Sequence, residues 1–229
     1  MTTPTKTLTI DIVSDVVCPW CYIGKRKLEA ALASPEAAGL PPITIRWHPF
    51  QLNPDMPSAG VPRKQYLEDK FGGPERAAEI YARVGAAGKA VGLNLNFEGI
   101  KQQANTLLAH ALIAYAQQSP QNDSANTLGN DVKERIMKAY FVDGQFIGSV
   151  DVLVDIAVAA GLQGSAVREF LSDPAECDAV AQADAQARQM GVSGVPFFIF
   201  NQKVAVSGAQ EPAALLAAMQ QALNTASSA

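Results

Sequence analysis

The stretch SDVVCPWCYIGKRKLEAAL (Ser14 to Leu32) sets two cysteines, Cys18 and Cys21, three positions apart where an apolar strand gives way to a helix. Upstream, TLTIDIVS (Thr7 to Ser14) alternates Leu8, Ile10 and Ile12 with more polar neighbours and is rich in β-branched residues, the pattern of a strand. Downstream, from Trp20 to Ala33, Tyr22, Leu28, Ala31 and Leu32 interleave with GKRK as in an amphipathic helix. The Gly and Pro of ASPEAAGLPP close that helix, and ITIRWHPF (Ile43 to Phe50) reads as a second strand. A β-α-β unit with such short connections predicts two parallel, adjacent strands. A Cys-x-x-Cys at this junction fits a cycling disulfide, a metal site or simple packing, so the rest of the chain has to decide.

Beyond a loop crowded with Pro, Gly and Asn (QLNPDMPSAGVP), the texture is helical from Arg63 to about Met190. Apolar spacings predict helices near 63–71, 74–91, 103–118, 124–141, 150–160, 164–171 and 174–190. Gly73-Pro74 and Asp173-Pro174 mark helix starts. Strand character returns in VPFFIFNQKVAVSG, where Phe197 to Phe200 and Val204 to Val206 flank NQK as a hairpin. A last helix follows near Pro212. The order is β-α-β, a long helical insert, then α-β-β-α. That layout predicts an α/β, thioredoxin-like fold, a four-stranded sheet with flanking helices, interrupted by an all-helical insertion. The expected segments are 1–61 and 173–229 for the two halves of the thioredoxin-like part and 62–172 for the insertion.

In this layout Cys18 lies at the carboxyl end of the first strand and the start of a helix. Oriented backbone N–H groups and the positive end of the helix dipole stabilise a thiolate there. Pro19 suits the first helical position, with no N–H to leave unpaired. Cys21, one turn on, is deeper in the helix and close enough to close a ring. The asymmetry makes Cys18 the exposed attacking sulfur and Cys21 the shielded resolving one, with exchange through a mixed disulfide on Cys18. The intervening Pro19-Trp20 brings no His or Lys beside Cys18, which points to a reducing-to-intermediate potential. Trp20 is expected to stay partly exposed as a flat apolar contact for substrate. Far downstream, GVSGVPFF puts Pro196 at the start of a strand. In a thioredoxin-like sheet that proline faces the cysteines in cis form, and the Val195 backbone is free to pair with an extended substrate. The bland alternative is a proline that merely begins an edge strand.

The motifs SDVVCPWCYIGKRKLEAAL, PFQLNPDMPSAG, NTLLAHAL, KAYFVDGQFIG and GVSGVPFFIFNQKVAVSGAQ together resemble the FrnE-type branch of the DsbA-like thioredoxin superfamily, over almost the whole chain from Leu8 to Leu223. The resemblance implies a thioredoxin fold with an inserted helical domain and disulfide oxidoreductase or isomerase activity. It extends to 2-hydroxychromene-2-carboxylate isomerases and kappa-class glutathione transferases. Those typically carry Ser at the first active-site position and use glutathione without a dithiol cycle, whereas this chain has Cys at both. Glutathione is accordingly a candidate co-substrate, and no bound cofactor is expected. Some members of the branch carry a further cysteine pair near the C-terminus; here only Cys177 remains, flanked by Glu176 and Asp178, and it reads as an inert thiol. The resemblance also places Asn105, in NTLLAH, facing the cleft from the insert as a substrate-binding residue. Related proteins occur as monomers and as homodimers.

Thioredoxin relatives often bury a carboxylate under the active-site helix. Asp11 in the first strand is the candidate proton acceptor for Cys21, with Asp15 expected in a loop, pointing to solvent. His48 reads as a strand-end histidine, and His110, among Leu107, Leu108, Ala111 and Leu112, as a hydrogen-bonded helix residue. Tyr66, Phe71, Tyr81, Tyr115, Tyr140 and Phe141 read as insert core, a few of them lining a groove. A zinc site would need two more ligands, and only His48, His110 and Cys177 remain, widely scattered.

Composition narrows the setting. The 229 residues are 48% hydrophobic and 17% charged, with a net charge of −4, as in ordinary globular chains. No Lys/Arg cluster points to nucleic acid. No apolar run reaches the roughly 18 residues that suggest a membrane span. MTTPTKTLTIDIVSD lacks the basic start and apolar core of a secretory signal. The expectation is a cytoplasmic protein whose Cys-x-x-Cys is catalytic rather than a static staple. Its expected partners are protein or low-molecular-weight disulfides and thiols, with no nucleic acid and no membrane. The rival readings are a glutathione-dependent isomerase or transferase of small aromatic substrates, and a non-catalytic binding module.

Overall fold

The computed structural model describes residues 7–225; positions 1–6 and 226–229, the ends of the first and last expected segments, lie outside the described residues. Strand β1 (Leu8–Ser14) leads into helix α1 (Pro19–Leu32) and then β2 (Ile43–Pro49), which pairs parallel with β1 in the register Ile10↔Ile45 and Ile12↔Trp47. At the far end of the chain, β5 (Phe197–Phe200) and β6 (Val204–Ser207) form an antiparallel hairpin, followed by α9 (Pro212–Asn224). β5 also pairs antiparallel with β1, which completes a four-stranded sheet in the order β2-β1-β5-β6.

The period-2 alternation of a strand sorts β1 onto two faces. Leu8, Ile10 and Ile12 are fully buried in the main core with Trp47, Phe198 and Phe200 of the sheet, Cys21, Tyr22 and Leu28 of α1, and Leu215 and Met219 of α9. Val13, on the other face, packs with Phe50, Ala187 and Val192 in a smaller cluster joined by Phe197 and Ile199.

Between these halves come β3 (Val61–Pro62), α2 (Arg63–Phe71), α3 (Pro74–Ala90), β4 (Gln102–Gln103), α4 (Leu107–Gln118), α5 (Thr127–Phe141), α6 (Val150–Ala159) and α7 (Gly164–Ser172). Helix α8 (Pro174–Gln189) then returns to pack on β2. The expectation of an all-helical insertion is corrected: β3 and β4 pair antiparallel, Val61 with Gln103, at its root. Two-residue strands are too short to show a periodicity. The same ladder explains why α4 begins at Leu107 rather than near 103.

Insert and sheet share one core, because Ile136, Tyr140 and Phe141 of α5 are fully buried with the main cluster. A polar clamp ties α1 to α5. Glu134 accepts from Tyr22 OH at 2.6 Å, from Lys25 Nζ at 2.6 Å and from the Arg26 guanidinium.

Candidate active site

Cys18 is the N-cap of α1 (φ −91°, ψ 111°), with Pro19 in the first turn. Its carbonyl accepts from Cys21 N at 3.0 Å and its own amide donates to Asp15 O at 3.3 Å. Both cysteines are free thiols. Cys18 Sγ lies 3.7 Å from Val195 O, whose peptide bond to Pro196 is cis. The start of β5, 177 residues away in sequence, thus faces the end of β1. Gly24 permits this closeness: a Cβ there would meet Pro196 Cγ at 2.9 Å and Phe198 Cζ at 3.3 Å.

The two sulfurs differ in the expected sense but by a different balance of causes. The Cys18 thiol sits below its ordinary value. The hydrogen bond from the Cys21 thiol is the largest reason, partly opposed by burial, and the Cys21 and Trp20 amides at the helix start add to it, while the Asp15 charge works against it. The Cys21 thiol is pushed well up, by burial first and then by its neighbour Cys18; Lys133 and a backbone hydrogen bond from Asp15 pull the other way. One expectation is corrected here. Cys18 is not an exposed sulfur; the residue is only 5% exposed, because the insert roofs it.

That roof encloses a cleft of about 310 Å³ in front of Cys18. Pro19, Trp20, Gly194 and Val195 line its floor, and Tyr66, Lys70, Phe71 and Tyr81 of the insert line its roof. Trp20 is 42% exposed, as expected of a contact residue. Tyr81 is held by Arg63, which is itself buried and donates to Tyr81 OH at 3.0 Å, to Tyr140 OH at 2.6 Å and to Gln103 Oε1 at 2.6 Å.

Three further expectations give way. Asp11 alternates with Ile10 and Ile12, so it projects to the sheet face opposite Cys21, where it pairs with His48 Nε2 at 2.8 Å. The carboxylate beside the cysteines is Asp15, which is fully buried rather than pointing to solvent. Its Oδ2 accepts from Leu52 N at 2.8 Å, and its Oδ1 lies 3.4 Å from His110 Nε2. Burial pulls the His110 pKa down. Asn105 does not line the cleft, for its amide is committed elsewhere. Nδ2 donates to Met56 O at 2.6 Å, and Oδ1 accepts from Leu107 N at 2.8 Å. Gln103, two residues earlier, lines the cleft instead.

One buried residue escaped the sequence reading. Lys133 of α5 is 0% exposed, and its Nζ donates to Ser14 Oγ at 2.8 Å and sits 5.0 Å from the Trp47 ring centre. The signal was a charge on an apolar stripe. Gly129, Ile136, Met137 and Tyr140, all buried, share the three- and four-residue spacing with it.

A family model described as a DSBA-like thioredoxin domain matches residues 9–220. A probable DsbA oxidoreductase from Streptomyces coelicolor superposes with a TM-score of 0.82 at 30% identity, covering 97% of this chain and 92% of that one. A 2-hydroxychromene-2-carboxylate isomerase gives a TM-score of 0.66 at 16% identity over 93% of this chain and 95% of its own. The cytosolic disulfide reductase DsbM from Pseudomonas aeruginosa, solved with GSH, gives 0.60 at 18% identity over 94% and 95%. The last two likenesses are likenesses of fold.

Proposed function

Because this chain belongs to the DSBA-like thioredoxin domain family, we propose that it is a thiol-disulfide oxidoreductase working through Cys18 and Cys21. One observation carries the reading: Cys18 caps α1 with its sulfur 3.7 Å from Val195 O at the edge of a cleft, while Cys21 lies buried one turn deeper. The opposite shifts of the two thiols, Cys18 down and Cys21 up, agree with it. The Cys18 thiolate attacks a disulfide R–S–S–R′, expelling R′–S⁻ and forming a Cys18–S–S–R mixed disulfide. Cys21 then attacks the Cys18 sulfur, and R–S⁻ leaves and takes up a proton. The hydrogen bond that lowers Cys18 comes from Cys21 itself, so the waiting resolver also primes the attacker. Val195 and Pro196 form the docking wall, with Pro19 and Trp20 on its flank.

A cleft of about 310 Å³ is at the small end of ligand pockets, which supports a low-molecular-weight disulfide or a single extended segment as substrate. Glutathione is the co-substrate we would test first. Pro19 and Trp20 place no cation between the cysteines, and the Asp15 charge opposes the Cys18 thiolate, so a potential nearer about −270 mV than about −120 mV is expected. That suits a reducing compartment such as the cytoplasm; no helix among the described residues is long and apolar enough to cross a membrane.

The test is insulin reduction and glutathione-coupled disulfide reduction with the parent, Cys18→Ser and Cys21→Ser. Both variants lose turnover, and Cys21→Ser accumulates mixed disulfides. A second reading draws on the insert roof, whose Tyr66, Phe71 and Tyr81 could hold a small aromatic substrate for glutathione-dependent isomerisation or transfer. Activity surviving Cys21→Ser would favour it. No thiol turnover, with an ordinary Cys18, would leave a binding module.

A further inference from the structure

Lys133 is the oddest charge in the molecule. It is fully buried, it belongs to the insert rather than to the thioredoxin-like halves, and it forms no ion pair with a carboxylate among the described residues. Its one hydrogen bond goes to the neutral Ser14 hydroxyl at 2.8 Å, on the residue before Asp15. Burial of an ammonium is costly, and here neighbouring charges offset that cost only in part, so the charge is kept against stability. The charges that act on Lys133 are Cys21 first, then Asp15 and Cys18 in its favour, with Lys25 against. Lys133 in turn acts on His110 across the same buried space. The geometry sets the ammonium in the same place: Ser14 ends β1, just ahead of the cysteines, and Trp47, whose ring centre is 5.0 Å from Nζ, packs in one buried core with Cys18 and Cys21. Among the groups around it, the deeper one whose charge changes during a dithiol cycle is Cys21.

We propose that Lys133 is an electrostatic positioning residue for the resolving step: its ammonium stabilises the Cys21 thiolate as that sulfur attacks the mixed disulfide on Cys18. This rests on the dithiol reading above. The step is balanced without a further reagent: the Cys21–H bond breaks, the Cys18–Cys21 bond forms, the Cys18–S–R bond breaks, and the proton ends on R–SH. Burial alone leaves Cys21 a poor nucleophile, since a thiol pushed far above neutrality is scarcely ionised. A cation held in place by α5 corrects that only for the deeper sulfur. The inserted helices therefore take part in the chemistry itself and do more than roof the cleft. The depressed value of Lys133, pushed down to about 8 mainly by burial, agrees with a site where its charge is held at a cost.

The test uses the reduced full chain carrying Cys177→Ser, mixed with excess 5,5′-dithiobis(2-nitrobenzoate) in a stopped-flow cell. Attack by Cys18 releases the first thionitrobenzoate, and attack by Cys21 releases the second. In the parent both phases appear, and Cys18→Ser removes them. In Lys133→Met the first phase stays within about threefold, while the second slows at least about tenfold at neutral pH and its pH dependence moves upward, each pK unit of displacement being a tenfold loss. Lys133→Gln, which keeps the length of the side chain and loses the charge, behaves the same way; near-ultraviolet circular dichroism confirms that each variant is folded. A second phase unchanged in rate and pH dependence in either folded variant overturns the inference and leaves the oxidoreductase reading intact. A parent lacking any Cys18-dependent first phase overturns both.

Discussion

At Lys133 an ammonium is held in the core, where burial lowers its pKa from 10.5 to about 8. The sign of the consequence follows from proton counting. Between about 8 and 10.5 the unfolded chain holds a proton that the folded one has lost, so stability rises with pH across that window. Below 8 the cost of the buried charge is fully present, about 3 kcal/mol from the size of the shift. Lys133→Met is therefore expected to be more stable than the parent near pH 7, and urea unfolding from pH 7 to 10.5 should show the two curves converging. Parallel curves would contradict it. The neighbouring carboxylates teach a different lesson. Asp11 could have been set aside from the sequence, because alternation with Ile10 and Ile12 already puts it on the wrong face. The burial of Asp15 could not have been read, because the Leu52 amide and His110 that enclose it come from a loop and a helix far along the chain. Lys133 was legible in part, as a charge on an apolar stripe, but nothing local said what lay opposite.

Helix α1 was legible almost in full. A β-branched strand, a Cys N-cap, Pro in the first turn and the apolar spacing of Tyr22, Leu28 and Ala31 all agree with the observed Pro19–Leu32. Its approach to β5 was not, because the partners are remote in sequence. Gly24 is where that approach is closest, and here the contact is with a proline ring that cannot swing aside. Gly24→Val should push α1 away from Pro196 and Phe198, destabilising the fold by about 1–3 kcal/mol. It should also weaken the contact between Cys18 Sγ and Val195 O. Thermal unfolding and substrate turnover check the two effects, and an unaltered melting temperature would remove the close-packing account of this position. The short β3–β4 ladder marks the limit of pattern reading at this scale: its hydrogen bonds order the root of the insert, yet four residues carry no repeat.

Across the whole molecule, the outer halves build the sheet and the insert closes over it, an order readable from the return of strand character at Phe197. The parts share one buried core, and the Glu134 clamp adds a polar tie between α1 and α5. Burial pushes the Glu134 carboxyl up, but Lys25, Tyr22 and Arg26 outweigh it and hold it below its ordinary value. Stability from this source is present above the ordinary carboxylate range and is lost as pH falls through the depressed value. Glu134→Gln leaves the mostly buried Lys25 without that partner. A loss of about 1–3 kcal/mol is expected at pH 7, with the difference from the parent shrinking in acid. Chemical unfolding at pH 7 and at pH 3 measures both, and a deficit that persists unchanged in acid would count against the clamp. The most direct test of the central claim is the pH dependence of Cys18 alkylation by iodoacetamide, followed by peptide mass spectrometry in the parent and in Cys21→Ala. The parent should titrate below the ordinary thiol value, and Cys21→Ala should titrate higher, because the largest stabilising hydrogen bond is gone. A Cys18 that titrates at or above the ordinary value in the parent would contradict the account.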